Sequence, residues 1–389
     1  MAIQLLAMGN PPEAIRILDV RKPFLPELTS GEGAKLDFQQ ADVTSEESIR
    51  NAFSAPWPKA VSELPLTVFH TVALLRPFER AEDLYYRSYK VNVAGTANVL
   101  AAARDAGAGI FIYTSSSQAA SKEVNFWFPP WESRPRNFVA MVDTEDFYKP
   151  LLPHGQFANN YSRSKAEAER LVCNANESNT GRLTRSQQTM RTGAIRPGNA
   201  IYGHKDDNVA GRLLQHGMIP THSAPWSQSW IHVRNASLAH LLYENALLGK
   251  HADKVAGRPF LVTDGGPPAT FREVYGVLGH ANEVKKFRVV SVSPVIILLI
   301  SYAMEIWDLF VLRVPLMNKI FPEPPDPINL YQLGLLAATT CALIDDAEAR
   351  KAPEDGGIGY TPACSTLEGM TDFMVDWNAH FAQTGSNKL

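Results

Sequence analysis

A run of large apolar residues passes directly into three serines in the stretch Gly109-Ile-Phe-Ile-Tyr-Thr-Ser-Ser-Ser117. An apolar run this continuous is typical of a strand buried on both faces of a parallel sheet. The same pattern occurs upstream in Leu66-Thr-Val-Phe-His-Thr-Val-Ala73, and a helical segment over residues 84–104 separates the two. A strand, a helix and a second strand at this spacing predict an α/β fold with a parallel sheet.

Further elements continue this alternation on both sides of the two strands. Shorter strands are predicted at Ala14–Val20, Gly193–Pro197 and Pro259–Asp264. Helices are predicted over residues 2–8, 45–53, 159–172 and 270–278. Ligands of such sheets bind at the carboxyl ends of the strands, so the residues there are the first candidates for a site.

Residues typical of a dinucleotide site follow several predicted strand ends, namely Asp19, Asp42, Val72-Ala73, Ser115–Ser117 and Pro197-Gly198. An acid at the end of the second strand of such a sheet accepts hydrogen bonds from an adenosine ribose, which favours NAD over NADP. Arg21 and Lys22 follow Asp19 closely, so NADP stays an alternative. Each position alone also suits an ordinary turn, because Asp, Ser and Gly are common there. Their order along the chain favours the dinucleotide site.

A tyrosine and a lysine lie four residues apart in the predicted helix Asn159-Asn-Tyr-Ser-Arg-Ser-Lys-Ala-Glu-Ala-Glu-Arg-Leu-Val172. Tyr161 and Lys165 therefore share one face of that helix. An ammonium near a phenol favours the phenolate, so Lys165 is expected to lower the pKa of Tyr161 and make it a usable base. The pair alone is a weak signal, and the alternative is an ordinary amphipathic helix.

The composition excludes several classes of protein. The chain has 389 residues, a formal net charge of -3 and three cysteines far apart in sequence. Such a charge provides no field for nucleic acid, and the cysteines suit a reducing compartment better than a disulfide framework. The ten histidines show no metal-ligand spacing, so no metal site is expected. The first residues lack the pattern of a signal peptide.

Seven motifs occur in a fixed order along the chain. They are Asp42-Val43, His70-Thr71-Val72-Ala73, Asn92-Val-Ala-Gly-Thr-Ala-Asn98, Tyr113-Thr-Ser-Ser-Ser117, Tyr161-x-x-x-Lys165, Arg196-Pro-Gly-Asn-Ala-Ile-Tyr-Gly203 and Trp230-Ile-His-Val-Arg-Asn-Ala236. Together they resemble the extended short-chain dehydrogenases/reductases, specifically the 3β-hydroxysteroid dehydrogenase branch. The segment 357–369 resembles the closing part of that family, so the resemblance covers nearly the whole chain.

The resemblance implies a Rossmann-like doubly wound sheet over residues 1–203 and a smaller substrate-covering part over residues 204–389. It implies that Tyr161 is the catalytic base or acid, that Lys165 lowers its pKa and holds the nicotinamide ribose, and that Ser116 orients the substrate oxygen. The cofactor is expected to contact Asp19, Asp42, Val43, Val72, Ala73, Asn92, Lys165 and Pro197. Asn92 is expected to support its helix, and His232 and Asn235 are structural more often than catalytic in relatives.

The chain departs from the family at its start. The family begins with a strand and a Gly-x-x-Gly-x-x-Gly turn whose backbone N–H groups hold the pyrophosphate. Residues 1–8 instead resemble the end of the helix that follows that turn. The absent strand would leave two strand edges unpaired inside the domain. A sequence that begins late is the first explanation, and a degenerate relative without dinucleotide binding is the second.

Two segments bear on the substrate. The stretch 123–160 contains many aromatic residues and prolines, so it is expected to form no regular element and to wall a large apolar pocket. Its aromatic residues are Phe126, Trp127, Phe128, Trp131, Phe138, Phe147, Tyr148 and Phe157. The stretch 174–189 is polar and is predicted to be a surface insertion. The apolar stretch 292–314 suits a helix lying in a membrane interface, and a buried helix is the alternative.

These features give an expected function. The resemblance implies NAD(P)-dependent oxidation of a 3β-hydroxyl on a bulky sterol-like substrate, with decarboxylation at C4 as an extension. It further implies association with the cytosolic face of the endoplasmic reticulum membrane rather than a cytoplasmic location, and a homodimer or a complex of sterol biosynthesis. The alternatives are a tailoring dehydrogenase or reductase of secondary metabolism, and a non-catalytic binding relative.

Overall fold

The computed structural model describes residues 1–127, 131, 136–179, 189–314, 316, 317, 321 and 331–384. The strands are β1 (Arg16–Asp19), β2 (Asp37–Gln40), β3 (Thr67–His70), β4 (Ile110–Thr114), β5 (Val139–Val142), β6 (Ser178–Asn179), β7 (Thr189–Pro197), β8 (Ile201–Tyr202), β9 (Met218–Thr221), β10 (Ile231–His232), β11 (Pro259–Val262), β12 (Arg288–Ser291) and β13 (Cys341–Ile344). Phe128 and the centre of the polar insertion, 180–188, lie outside the described residues.

The α-helices are α1 (Ala2–Ala7), α2 (Pro26–Thr29), α3 (Glu46–Ser54), α4 (Tyr85–Ser88), α5 (Gly95–Asp105), α6 (Asn160–Asn174), α7 (Ala210–His216), α8 (Val233–Leu248), α9 (Ala252–Val255), α10 (Phe271–His280), α11 (Pro294–Arg313), α12 (Leu333–Ala338), α13 (Ala347–Arg350) and α14 (Thr366–Thr384). A π-helical turn, Tyr89–Ala94, joins α4 to α5. The predicted helices and strands therefore form, with small shifts of their ends.

The main sheet has the strand order β11-β7-β4-β3, and these neighbours run parallel. Apolar layers cover it on both faces. One layer contains Ile49, Val99 and Val172 from α3, α5 and α6. The other contains Tyr243 of α8 and Tyr360. A parallel sheet with helices on both faces is the predicted α/β architecture, and each large apolar side chain that it buries contributes about 1.5–3 kcal/mol.

The sheet is interrupted between β1 and β3. The strands β1 and β2 form a separate parallel pair, and within the described residues neither β1 nor β3 has a ladder partner on its inner edge. A cleft of ≈ 590 Å³ lies between them and is lined mainly by apolar side chains, among them Ile17, Leu18 and Val68. The two unpaired edges predicted from the missing first strand are therefore confirmed.

The same interruption corrects one prediction about β3. The apolar run Leu66–Ala73 predicts a strand buried on both faces, as is found for β4. In β3 only His70 is buried, and the three preceding residues are partly exposed. The reason is that β3 borders the cleft on one edge, where a further strand would otherwise cover it.

The segment 123–160 also differs from its prediction. Its prolines predict that no regular element forms there, but β5 pairs in parallel with β13. The strand is possible because it lies in the proline-free stretch between Pro135 and Pro150. This short pair brings the segment against residues that are two hundred positions later in the chain.

A buried carboxylate joins several segments in the second half of the chain. Asp264 is 4% exposed and follows β11. Its Oδ1 accepts hydrogen bonds from the His232 backbone N–H and the Asn235 amide, both at 2.7 Å. Its Oδ2 accepts from the Tyr202 hydroxyl at 2.9 Å and the Thr366 hydroxyl at 3.0 Å. His232 and Asn235 therefore have structural contacts at this position.

The helix α11 exposes its apolar side and turns its acids toward the protein. We call the exposed side the outer face of α11, which comprises Val295, Ile296, Leu299, Ile300, Ile306 and Phe310. On the opposite side Ile297 and Leu298 pack against Leu333 and Leu336 of α12. Glu305 accepts two hydrogen bonds from the Arg80 guanidinium, at 2.6 and 3.0 Å. The helix has a mean hydropathy of 2.1 over its most apolar part and is both long and apolar enough to cross a bilayer, a combination that no other helix of the described residues shares.

Candidate active site

The helix α6 begins where its sequence supplies a cap, and this start positions the candidate catalytic pair. Asn159 adopts an extended backbone, and its Oδ1 accepts the Ser162 N–H at 2.8 Å. An asparagine at this position satisfies one of the free N–H groups of the first turn. Tyr161 and Lys165 follow on the face that packs against the end of β4, and both are buried.

The serine run after β4 meets Tyr161 at one residue. The Ser116 hydroxyl lies close to the Tyr161 phenol; burial raises the pKa of that phenol, and Ser116 acts to lower it. Ser116 is partly exposed, whereas Ser115 and Ser117 are buried. The choice of Ser116 from the three serines is therefore consistent with the geometry, because it alone combines the contact with access to ligand.

The lysine lies behind this pair. Its Nζ donates to the Thr114 carbonyl at 2.7 Å and lies 4.6 Å from the ring centre of Tyr113 and 5.8 Å from that of Tyr161. Burial lowers the pKa of Lys165 to about 7, and the Glu169 carboxylate acts in the opposite direction. The ammonium is thus poised close to losing its charge at neutral pH.

The predicted effect on the tyrosine is wrong in direction. Lys165 was expected to lower the pKa of Tyr161, but burial raises the pKa of Tyr161 to about 12, with Ser116 opposing the rise. The physical reason is that removal of the phenol from water disfavours the phenolate. Lys165 directs its ammonium at the Thr114 carbonyl and so does not offset that cost.

The side-chain amide of Asn92 forms hydrogen bonds within the protein through both its oxygen and its nitrogen. It lies in the π-helical turn, accepts the Leu74 N–H at 2.6 Å and donates to the Leu74 carbonyl at 3.1 Å and to the Ser164 hydroxyl at 2.9 Å. These bonds tie the segment after β3 to α6. The amide therefore holds the backbone next to Val72 and Ala73 in place.

A buried arginine connects α6 to the segment after β5. Arg196 is fully buried on β7, and its guanidinium binds Glu169 of α6 through Nε at 2.7 Å and Nη2 at 2.5 Å. It also binds Asp146 at 2.6 and 2.9 Å. Two bidentate pairs on one guanidinium give a strong and directional contact. The sequence alone assigns Arg196 no role beyond its motif. A charged residue inside an apolar strand is nevertheless a signal that a buried partner exists.

A second residue whose role the sequence did not reveal lies near Lys165. His70, at the end of β3, forms a 2.9 Å hydrogen bond with Thr96 and stacks on Tyr113 with ring centres 5.6 Å apart. Burial, assisted by the positive charge of Lys165, lowers the pKa of His70 to about 3. His70 is therefore a neutral packing residue of the site.

The residues expected to hold a dinucleotide lie at the same edge of the fold, after the strands. Asp19 and Asp42 are exposed at the ends of β1 and β2, and each caps its own turn by accepting a backbone N–H, from Arg21 and Thr44. Val43 and Pro197 are buried, Val72 is partly buried and Ala73 is exposed. The turn role and the ribose-binding role of the two acids are compatible, because each carboxylate has further lone pairs.

The residues present fit part of a nicotinamide dinucleotide. The Ser115 hydroxyl is buried without a hydrogen-bond partner among the described residues, beside the partly exposed Ser116, and Lys165 binds the carbonyl of the preceding residue, Thr114. These groups suit a ribose and an amide. Between α1 and β1 the chain contains Gly9, Asn10 and two prolines, which offer no glycine-rich turn for a pyrophosphate. The nicotinamide end and the adenosine ribose therefore have candidate contacts, and the pyrophosphate has none in the described part.

A pocket for a second ligand opens beside the serine run. Its volume is ≈ 380 Å³, and it is lined by Ser117, Gln118, residues of β5 and the end of α12. Gln118 donates to the Asn199 side chain at 3.1 Å, and Asn199 donates to the Ala338 carbonyl at 3.0 Å. Of the described aromatic side chains of the segment 123–160, Phe157 alone lines this pocket, so the expected aromatic wall is largely aliphatic there.

No group of three or more potential metal ligands occurs in the part of the chain that the structure describes. Ser116, Tyr161 and Lys165 can supply hydrogen bonds and proton transfer at this edge.

Solved structures define the class of this fold. The NAD complex of UDP-glucose 4-epimerase from Thermus thermophilus superposes with a TM-score of 0.55 and 18% identity, covering 96% of this chain and 94% of that one. A dTDP-glucose 4,6-dehydratase from Streptomyces venezuelae with NAD bound gives a TM-score of 0.57 and 17% identity, covering 98% and 94%. At such identities the similarity shows the fold alone, which is the Rossmann fold of the NAD-dependent epimerases and dehydratases.

Sequence comparison narrows the class to a family. The profile of the 3-beta hydroxysteroid dehydrogenase/isomerase family matches residues 1–291, and the chain belongs to that family. This confirms the resemblance on which the site residues were proposed. The match spans the Rossmann-like part and most of the segment up to α11.

Individual relatives are more distant. Short-chain dehydrogenase/reductase family 42E member 1 of Xenopus laevis is 27% identical over 260 residues, which are 66% of this chain and 58% of that protein. Sterol-4-alpha-carboxylate 3-dehydrogenase, decarboxylating, of Candida albicans is 24% identical over 377 residues, which are 94% of this chain and 90% of that protein. The chain thus matches little more than half the length of the first relative and nearly all of the second.

Proposed function

We propose that the protein is an NAD(P)-dependent oxidoreductase that oxidises the 3β-hydroxyl of a sterol-like substrate. The observation that carries this proposal is the proximity of Ser116 to Tyr161, next to the buried Lys165 and one residue before Ser117, which lines the pocket. Family membership and the printed name of the Candida albicans relative support the substrate class. The acid Asp19 favours NAD, and NADP stays an alternative.

The proposed chemistry assigns one task to each side chain. Tyr161 takes the proton of the substrate hydroxyl, and the Ser116 hydroxyl orients the oxygen. A nicotinamide cofactor, when bound, supplies the hydride acceptor. Lys165 would hold the nicotinamide ribose. Since burial raises the pKa of Tyr161 to about 12, the phenolate fraction, and with it the rate of oxidation, is expected to increase as pH rises from neutral.

Decarboxylation at C4 is an extension of this proposal. Oxidation at C3 places a carbonyl β to a carboxylate on C4. The bond between C4 and the carboxylate carbon then breaks and CO2 leaves. The electron pair of that bond stays on the sterol and forms an enolate, which a proton from water converts to the ketone. This step needs no additional catalytic residue, so it adds no requirement to the site.

We further propose that the protein works at a membrane surface, in the first instance the cytosolic face of the endoplasmic reticulum. The outer face of α11 is apolar along its length, whereas Glu305 and Asp308 are engaged on the inner side with Arg80 and Gln332. Exposed apolar surfaces of this size are typical of membrane or protein contacts. A homodimer or a complex with other enzymes of sterol biosynthesis is a compatible arrangement.

The interrupted sheet favours a second candidate function. A non-catalytic binding protein would retain the pocket beside Ser117 and would not need a pyrophosphate cradle. Titration of the full chain with NAD and with NADP distinguishes the two functions. Binding of either dinucleotide supports the oxidoreductase, and absence of binding of both refutes it.

The mechanism is tested with Tyr161→Phe. This variant is expected to lose turnover of a 3β-hydroxysterol by roughly 100-fold or more, because it removes the proton-transfer group and retains the ring. Its affinity for the dinucleotide is expected to change little. Steady-state kinetics and dinucleotide titration measure the two quantities.

The matched control is Tyr148→Phe, because the Tyr148 ring is 64% exposed and contacts Phe147 rather than the site. The control is expected to keep wild-type turnover. Retained turnover in Tyr161→Phe would remove Tyr161 from its proposed role.

A further inference from the structure

A cluster of positive charge lies immediately before α11. We call Lys285, Lys286 and Arg288 the basic edge; all three are exposed. Arg288 begins β12, a strand exposed along its whole length, in which Val289 and Val290 are 43% and 44% exposed. Only two residues separate the end of β12 from the start of α11. The basic edge therefore shortly precedes the outer face of α11 in the chain, and both are exposed.

The protein itself does not neutralise this charge. No described carboxylate forms an ion pair with Lys286 or Arg288, and Lys285 donates to a neutral group, the Gln215 carbonyl, at 3.1 Å. Within residues 281–291, Glu283 is the one acidic residue, so the stretch contains three cationic residues and one acidic residue. By contrast, three exposed lysines elsewhere, Lys35, Lys149 and Lys351, each bind a glutamate three or four residues away.

The local shape also suits a small anionic group. A shallow groove of ≈ 410 Å³ is lined by Gly279, Asn282 and the residues 283–288. The groove opens on the surface that carries the basic edge. Cationic side chains around a concavity, next to an apolar face without acids, complement a bilayer whose hydrocarbon meets anionic headgroups.

We propose that the basic edge binds the anionic phospholipid headgroups of the bilayer on which the outer face of α11 rests. This inference rests on the membrane association proposed above and specifies which lipids are preferred. The apolar face provides insertion into any bilayer, and the basic edge provides selection for negative charge. The strand β12 has four residues and is about 13 Å long, and it links Arg288 to the two residues before α11.

The test uses the full chain and vesicles of two compositions, phosphatidylcholine alone and an equimolar mixture of phosphatidylcholine and phosphatidylserine. A basic residue near an anionic surface strengthens binding about fivefold, so three residues correspond to roughly a hundredfold. Wild-type protein is therefore expected to bind the mixed vesicles up to a hundredfold more tightly in co-sedimentation at low salt. The triple variant K285Q/K286Q/R288Q is expected to bind both vesicles at the level that wild type shows for phosphatidylcholine.

The matched control is the triple variant K35Q/K149Q/K351Q, which removes the same formal charge from exposed positions elsewhere. It is expected to keep the preference for the mixed vesicles, and thermal melting checks that all variants are folded. Equal binding of wild type and K285Q/K286Q/R288Q to the mixed vesicles would overturn the proposal, as would equal loss in the control. Binding of wild type to both vesicles without preference overturns the lipid selection alone, whereas binding to neither also refutes the membrane association.

Discussion

At the scale of single residues, burial shifts the pKa values of several polar groups of the site. His70 is the clearest example, because its ring has Thr96, Tyr113 and Phe111 as neighbours and the charge of Lys165 nearby. A protonated imidazole in that position would be both desolvated and repelled. His70 is therefore a neutral ring in the environment of Lys165.

This burial predicts the sign of a pH effect on stability. The pKa of His70 is about 3 in the folded protein and about 6.5 in an unfolded chain, so between these values the unfolded state binds more protons. The contribution of His70 to stability is fully present above pH 6.5 and is lost as pH falls toward 3. Denaturant unfolding at several pH values is expected to show a weaker loss of stability toward acid for His70→Gln than for wild type.

The control for this experiment is His216→Gln, because His216 is exposed on α7. It is expected to reproduce the pH dependence of the wild type. If His70→Gln also reproduces it, the imidazole is not the group that must charge on unfolding.

Candidate residues of the site could be named from sequence, and their energetics could not. The spacing of Tyr161 and Lys165 and the serine run fixed the candidates. The direction of the pKa shift of Tyr161 depends on how deeply the phenol is buried and on where the Lys165 ammonium points. The spacing of the two residues in the sequence reveals neither. The partners of Arg196 likewise come from α6 and from the segment after β5, which no local pattern brings together.

At the scale of elements, α11 has two sides with opposite roles. The inner side packs on α12, and the outer face meets solvent or lipid. Two adjacent leucines lie on opposite sides of the helix: Leu298 is 8% exposed and Leu299 is 56% exposed. The pair therefore allows a comparison in which only the side of the helix differs.

We expect Leu298→Asn to destabilise the protein by roughly 2–5 kcal/mol, because it removes buried apolar volume and buries an amide. Leu299→Asn is expected to change the free energy of unfolding by less than about 0.5 kcal/mol. It should nevertheless weaken binding to phosphatidylcholine vesicles. Denaturant titration and vesicle co-sedimentation measure the two effects, and a large loss of stability in Leu299→Asn would contradict the orientation of α11.

Element prediction succeeded where the environment of a strand is regular. The run Ile110–Thr114 is a central strand, and its continuous apolar pattern gave its burial correctly. The similar run at β3 borders the cleft, and the pattern alone could not distinguish the two cases. The strand β5 was missed because its partner, β13, lies two hundred residues away and neither strand has a strong pattern of its own.

At the scale of the whole molecule, the interrupted sheet divides the Rossmann-like part into two β units. The pair β1–β2 has one ladder, whereas β4 and β7 each have a partner on both sides. Hydrogen bonds at a strand edge open more easily than those in a sheet interior. The interruption therefore predicts unequal local stability across one domain.

Amide hydrogen exchange monitored by mass spectrometry should detect this difference. Protection in residues 16–19 and 37–40 is expected to be lower than in residues 110–114 and 191–197 by on the order of tenfold or more. Because the four segments belong to the same protein and the same solution, the interior strands act as the internal reference. Equal protection in all of them would show that the cleft does not weaken the β1–β2 pair.

The hydrogen bonds around Asp264 have a consequence for the order in which a newly synthesised chain can complete its fold. Tyr202 and Asn235 emerge from the ribosome before Asp264, but Thr366 follows it by about a hundred residues. Until that threonine has been translated, a carboxylate destined for the interior has one of its four donors missing. A nascent chain interrupted before Thr366 would therefore leave the Asp264 carboxylate without one of its hydrogen bonds.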